Sequence, residues 1–110
     1  MIKVIFLTKV REYTKRLMRI LYKKGYFGFE ESAQKYVDDL IYDIEITLPL
    51  RVHKSASQYF DQYGKNMKYA VFKKNRNTTW YVFFTTYNEN EETVYLVRYV
   101  ANNHTIAQYL

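Results

Sequence analysis

The sequence predicts an α+β domain: an N-terminal strand, a two-helix antiparallel hairpin, then a three-stranded antiparallel meander, with the helices packed on one sheet face. Three observations predict it. Apolar residues recur at helical spacing from Val10 to Leu48, the period falls to two from Met67 onward, and Gly, Pro and Asn punctuate the joins. With 110 residues the chain is long enough for one core without covalent staples, so residues 1–110 are expected to form a single domain.

The β-branched and aromatic run Ile2–Leu7 reads as the first strand. From Val10, the residues Tyr13, Leu17, Ile20 and Leu21 share one helical face, Lys15, Arg16, Arg19 and Lys23 lie opposite, and Gly25 is placed to end the helix. A second helix follows Gly28. Glu30 and Glu31 fall in its first turn, where the helix dipole favours acids. Its buried stripe is Ala33, Tyr36, Val37, Leu40, Ile41, Ile44 and Leu48, and Pro49 stops it. Ser55-Ala56-Ser57-Gln58 fits a capping box for a short helix that Gly64 would close.

Met67–Lys74 and Thr78–Tyr87 read as strands joined at Asn75-Arg76-Asn77. Asn88–Glu92 is an acidic turn, and Thr93–Ala101 is the last strand. Thr78–Tyr87 is apolar on both faces, which marks an inner strand. One sheet face would go to the helices, leaving the other as a shallow basic surface edged by loops.

Composition narrows the function classes. There is no Cys, which excludes disulfides and thiolate metal sites, and the two His are far apart, so no metal site is expected. No apolar run approaches a membrane span and no signal-peptide block is visible, so the expected location is the cytoplasm, with no membrane partner. A net charge of +6 favours an anionic partner, nucleic acid first. The charges are segregated: eight Lys/Arg against one acid up to Tyr26, seven acids against three bases from Phe27 to Asp61, then five bases and no acid up to Tyr87. The 13 Tyr offer stacking faces with hydroxyls, although half-buried strand positions account for most of them. Lys73, Lys74 and Arg76 crowd one hairpin turn, where like charges repel until an anion arrives.

In this order of elements, and above all at its C-terminus, the chain resembles the RelE/ParE superfamily of bacterial type II toxins. Members of its ParE-like branch often end in a strand with Arg, a short polar basic turn, and then an Ile and a Leu. Here Arg98, Asn102-Asn103-His104-Thr105, Ile106 and Leu110 fall at those places. The resemblance implies a RelE/ParE-like fold and an antitoxin from the same operon as partner. It also implies one of two activities: cleavage of mRNA on the ribosome, or inhibition of DNA gyrase without cleavage. A toxin-like fold kept as a plain RNA-binding module is the third option. Ribonuclease members commonly carry an Arg at the start of the third strand. The corresponding stretch here, Thr79-Trp80-Tyr81-Val82, has none, so either Arg76 or Arg98 is recruited or the nuclease chemistry is lost.

Metal-free RNA cleavage needs a base for the ribose hydroxyl, cations for the charge on phosphorus and an acid for the leaving oxygen. The resemblance gives the acid–base role to His104, with Arg98 on the same phosphate. No cofactor is required. Lys54, Lys73, Lys74 and Arg76 are the expected nucleic-acid contacts. His53, in the loop after Pro49, is the other imidazole.

Overall fold

A computed structural model describes residues 1–110. It is α+β. The elements are β1 (Ile2–Phe6), α1 (Thr8–Lys23), α2 (Glu30–Thr47), β2 (Lys54–Ser55), β3 (Lys68–Lys73), β4 (Thr79–Glu89), β5 (Glu92–Asn102) and α3 (Asn103–Ile106). Short 3₁₀ turns lie at Leu48–Leu50, Gln58–Gln62 and Ala107–Tyr109.

The helices form where the apolar stripes require them. Val10, Leu17 and Leu21 of α1 and Ala33, Val37, Leu40 and Ile44 of α2 are buried, and the helices pack on each other. Gly25 closes α1: with φ of 80° it turns the chain left-handed, its N–H donating to the Tyr22 carbonyl and that of Tyr26 to Leu21. At the end of α2, Pro49 lies inside a 3₁₀ turn, where its missing N–H costs nothing. Arg51 then ties this corner to the sheet. It donates to Asp43 (3.0 Å), to the Thr47 hydroxyl (2.9 Å) and to the Val71 carbonyl on the outer edge of β3 (2.8 Å), and its guanidinium lies 3.7 Å from the Phe72 ring centroid.

The sheet has five strands in the order β1-β5-β4-β3-β2. The sheet is mixed rather than antiparallel throughout. The meander β3-β4-β5 is antiparallel, but β1 runs parallel to β5, Ile2 opposite Thr93 through Phe6 opposite Val97. Parallel partners need a long crossover, which the intervening helices and strands supply. β4 is an inner strand, as its two apolar faces required. The β4–β5 hairpin turns at Asn90-Glu91, both with positive φ (50° and 65°), as the twist of a two-residue turn demands.

The second sheet face also differs from expectation. It is not a shallow basic surface. Phe60, Met67, Tyr69, Phe83, Ala101 and Ile106 form a second buried cluster there, rimmed by Tyr63, Tyr81, Tyr99 and Tyr109. Phe60, from the 3₁₀ turn Gln58–Gln62, stacks on Phe83 at 4.3 Å. The capping box expected at this turn is not made. Ser55 belongs to β2, and the Ser57 hydroxyl donates instead to the Tyr109 carbonyl at 2.7 Å. The C-terminus is thereby docked: Ile106 is 1% exposed and Tyr109 stacks on Tyr59 at 3.7 Å.

Candidate functional site

Two adjacent asparagines build the C-terminal turn. The Asn102 side chain caps α3, its Oδ1 accepting from the His104 N–H at 3.0 Å. Asn103 reaches sideways: its Oδ1 accepts from the Thr79 N–H (2.9 Å) and its Nδ2 donates to the Asn77 carbonyl (3.2 Å). The β3–β4 turn is held by Asn75, whose Oδ1 accepts from the N–H groups of Asn77 (2.8 Å) and Thr78 (2.9 Å). The turn that carries Lys73, Lys74 and Arg76 is thus bonded directly to the segment that carries His104.

His104 is exposed and lines a cleft of about 380 Å³ between α1, the link after it, the β3–β4 turn and α3. Lys24 and Tyr26 line the α1 side, Asn75 and Thr78 the turn side. Its floor is Trp80, whose Nε1–H donates to the Tyr36 hydroxyl at 2.8 Å. Burial raises the Tyr36 phenol above its ordinary range, opposed by that hydrogen bond. Burial also raises Tyr13 on the same wall, opposed by the Arg16 cation. Both phenols are neutral at pH 7. The cleft therefore offers one exposed imidazole, a nearby ammonium and, in Tyr26 at 63% exposure, a ring free to stack.

Arg98 and His104 line different clefts. β4 and β5 slip register between Phe83 and Phe84: Phe84 faces Val97 and Phe83 faces Tyr99, so Arg98 is the extra residue of a bulge. Its Nε–H donates to the Thr85 hydroxyl at 2.9 Å. Its stem passes so close to Gly64 that a Cβ there would sit 2.8 Å from the Arg98 Cδ, which is why that position takes glycine. Arg98 lines a cleft of about 390 Å³ with Lys9, Tyr63 and Tyr99. Tyr13 and Thr105 line both clefts.

The basic candidates are also divided. Lys73 and Arg76 are exposed at the turn beside His104, and Lys74 is half-buried there. Lys54 pairs opposite Tyr69, near the start of β3, so about 13 Å of strand separates it from Lys73. His53 turns into the core side: its Nε2 lies 2.8 Å from the Leu48 carbonyl and its ring meets Phe84 edge-on at 4.8 Å. Sequence reasoning missed Lys24 and Tyr26 as site residues. Lys24 was one of eight bases in its segment, and only the tertiary fold brings it to a cleft shared with the C-terminus.

Comparison with protein-family models, with curated proteins and with solved structures finds no match for this chain.

Proposed function

We propose that the protein is the toxin of a RelE/ParE-like type II toxin–antitoxin pair, acting as a metal-independent mRNA endoribonuclease on the ribosome. The observation that carries this reading is His104. Its imidazole stands on a side-chain-capped turn, at a cleft lined by Lys24 and beside the basic β3–β4 turn. In the proposed reaction the ribose 2′-oxygen attacks the adjacent phosphorus, and the bond to the 5′-oxygen of the next nucleotide breaks. The 2′-hydroxyl loses a proton and the departing 5′-oxygen gains one; His104 carries one of these transfers and water the other, while Lys24 with the turn cations offsets the charge that builds on the phosphoryl oxygens. Imidazole suits such work because it ordinarily titrates between pH 5 and 8.

One observation favours a second reading, in which the toxin inhibits DNA gyrase and cleaves nothing. Arg98 bonds to Thr85 and lines another cleft, and the His104 cleft has no arginine on its walls. Induced expression in a bacterial host separates the two. For the ribonuclease, His104→Ala abolishes growth arrest and lowers transcript cleavage on the order of 100-fold. Arrest by His104→Ala as strong as that of the parent, with DNA damage in place of cut transcripts, would select the gyrase reading. A parent protein harmless without its neighbouring gene would end the toxin reading altogether.

RNA or ribosome binding is expected to weaken steeply with salt. The triple change Lys73→Ala, Lys74→Ala, Arg76→Ala should flatten the log–log slope by roughly 0.7 for each phosphate that is no longer neutralised. An unchanged slope would move the electrostatic surface to the exposed face of α1.

A further inference from the structure

The His104 cleft is larger than one imidazole and one ammonium need. Its volume of about 380 Å³ falls within the roughly 300–1,000 Å³ that small-molecule sites occupy. The buried Leu17 and Trp80 form its floor, the half-buried Phe27 and Tyr36 a wall, and the exposed Lys24, Tyr26 and His104 its rim. No carboxylate lines it.

Aromatic rings and spare hydrogen-bond donors distinguish this lining. The Phe27 and Tyr36 rings meet at 5.3 Å with 54° between their planes, and Tyr26, adjacent in the chain to Phe27, is 63% exposed. The Tyr36 hydroxyl accepts from the Trp80 Nε1–H, so its own hydrogen is free to be donated. Two asparagines of the lining are in the same position. Asn75 spends its Oδ1 on the N–H groups of Asn77 and Thr78, and Asn102 spends its Oδ1 on the His104 N–H. The Nδ2 hydrogens of both have no partner within the protein. A fitting ligand is therefore flat, rich in acceptors and negatively charged at the rim. An inorganic anion would make no use of the aromatic wall, and an aliphatic chain would leave the donors unpaired.

We propose that the cleft is a nucleotide pocket, in which one unstacked base lies against the wall of Tyr26, Phe27 and Tyr36, with its phosphate at the rim by Lys24. Every base has a flat π-face for the rings, and its edges carry carbonyl or ring-nitrogen acceptors for the spare donors. The inference rests on the RNA reading for the choice of a nucleotide among flat ligands, and adds to it where the base beside the cut is held. A base held there brings its phosphate to the rim that carries His104, which is the positioning that cleavage needs. The nucleotide is either a unit of an RNA chain or a free monophosphate.

Trp80 is the only tryptophan of the chain and lies in the cleft floor, so its fluorescence reports on this site alone. The probes are adenosine monophosphate, a 2′-deoxy dinucleotide, and ribose 5-phosphate, which lacks a base. Both nucleotides should change the Trp80 emission saturably, with ribose 5-phosphate at least tenfold weaker. Tighter binding of the dinucleotide identifies a chain unit, and tighter binding of the monophosphate a free nucleotide. Tyr26→Ala, at an exposed position, should weaken nucleotide binding on the order of tenfold and leave ribose 5-phosphate unchanged. Equal affinity for ribose 5-phosphate overturns the proposal, as does unaltered nucleotide affinity in Tyr26→Ala. The deoxy sugar has no 2′-oxygen to attack phosphorus, so binding is read without cleavage. A parent that binds nucleotides but cuts no transcript ends the ribonuclease reading alone. A parent that cuts transcripts with no saturable change at Trp80 ends the nucleotide pocket alone.

Discussion

The two faces of this sheet are filled by different means. Under α1 and α2 the core is largely aliphatic, with Leu17, Leu40, Ile44 and Val37 meeting Val82, Val97 and Trp80. On the opposite face there is no long helix. A 3₁₀ turn and the last residues of the chain close over the strands by ring contacts: Phe60 on Phe83 at 4.3 Å, Tyr63 on Tyr99 at 3.8 Å, Tyr59 on Tyr109 at 3.7 Å. Regular helices cover area with many modest side chains. Irregular segments too short to do so use a few large ones, since each aromatic ring buries on the order of 150–250 Å². The second face teaches that a run of tyrosines in a basic protein can be structural mortar as well as a nucleic-acid surface.

The largest expected effect tests whether the faces are equal partners. Phe60→Ala removes a fully buried ring and should cost about 3–5 kcal/mol, and Leu40→Ala should cost about 2–5 kcal/mol on the helical side. Urea unfolding of the two variants checks both. A Phe60→Ala loss below about 1 kcal/mol would reduce the aromatic face to a satellite that can open without the core. A similarly small loss for Leu40→Ala would mean the helix faces are wrongly assigned.

A second test uses pH, through a tyrosine of the aromatic face. Burial, first, and then the contact with Tyr63 push the Tyr99 phenol well above its ordinary value of 10. Its folded value is thus raised relative to the unfolded chain. The neutral phenol's contribution is complete below about pH 10 and is lost as the pH climbs from there through the folded value. Stability should fall on alkaline titration. Tyr99→Phe keeps the ring but removes the proton, so its alkaline unfolding midpoint should lie at higher pH than the parent's. Identical midpoints would show that Tyr99 does not report on this face.

The same contrast explains what was legible in the sequence. The helical face wrote itself as a 3.6-residue period, and Gly25, Gly28 and Pro49 marked its boundaries, so the stripe from Val10 to Leu48 could be read directly. The strands of the meander were equally plain in their period of two. The aromatic face left no such mark. Phe60 sits in a turn of five residues, too short for any period, and its partner Phe83 is distant in sequence. Nor does alternation announce a bulge: Val97, Arg98 and Tyr99 suit a strand in either register, and only pairing with β4 shows that Arg98 is the extra residue. For the site, the polar turn at Asn102-Asn103 was visible as a turn. That one asparagine caps while its neighbour reaches Thr79 and Asn77 is a tertiary fact.

The smallest expected effect lies where the aromatic face meets the candidate site. α3 has four residues, so little of its order comes from its own backbone hydrogen bonds. Three things hold it: Ile106, sunk into the aromatic cluster, the Asn103 side-chain bonds to Thr79 and Asn77, and the Asn102 cap on the His104 N–H at 3.0 Å. Asn102→Ala removes only the cap and should cost about 1 kcal/mol, within the usual 0.5–2 kcal/mol for such losses. Asn102→Asp keeps an acceptor at the cap, adds a negative charge where the short turn's N–H groups converge, and should restore most of that stability. The two variants then part company in function. Under the proposed function, Asn102→Asp places a carboxylate beside the His104 cleft, so RNA binding should weaken even though the turn is intact. Under the same reading, Asn102→Ala should leave affinity nearly unchanged while lowering any cleavage that depends on His104, whose position it loosens. If both variants bind and cleave like the parent, the cap serves only to close the aromatic face, and the turn is structural throughout.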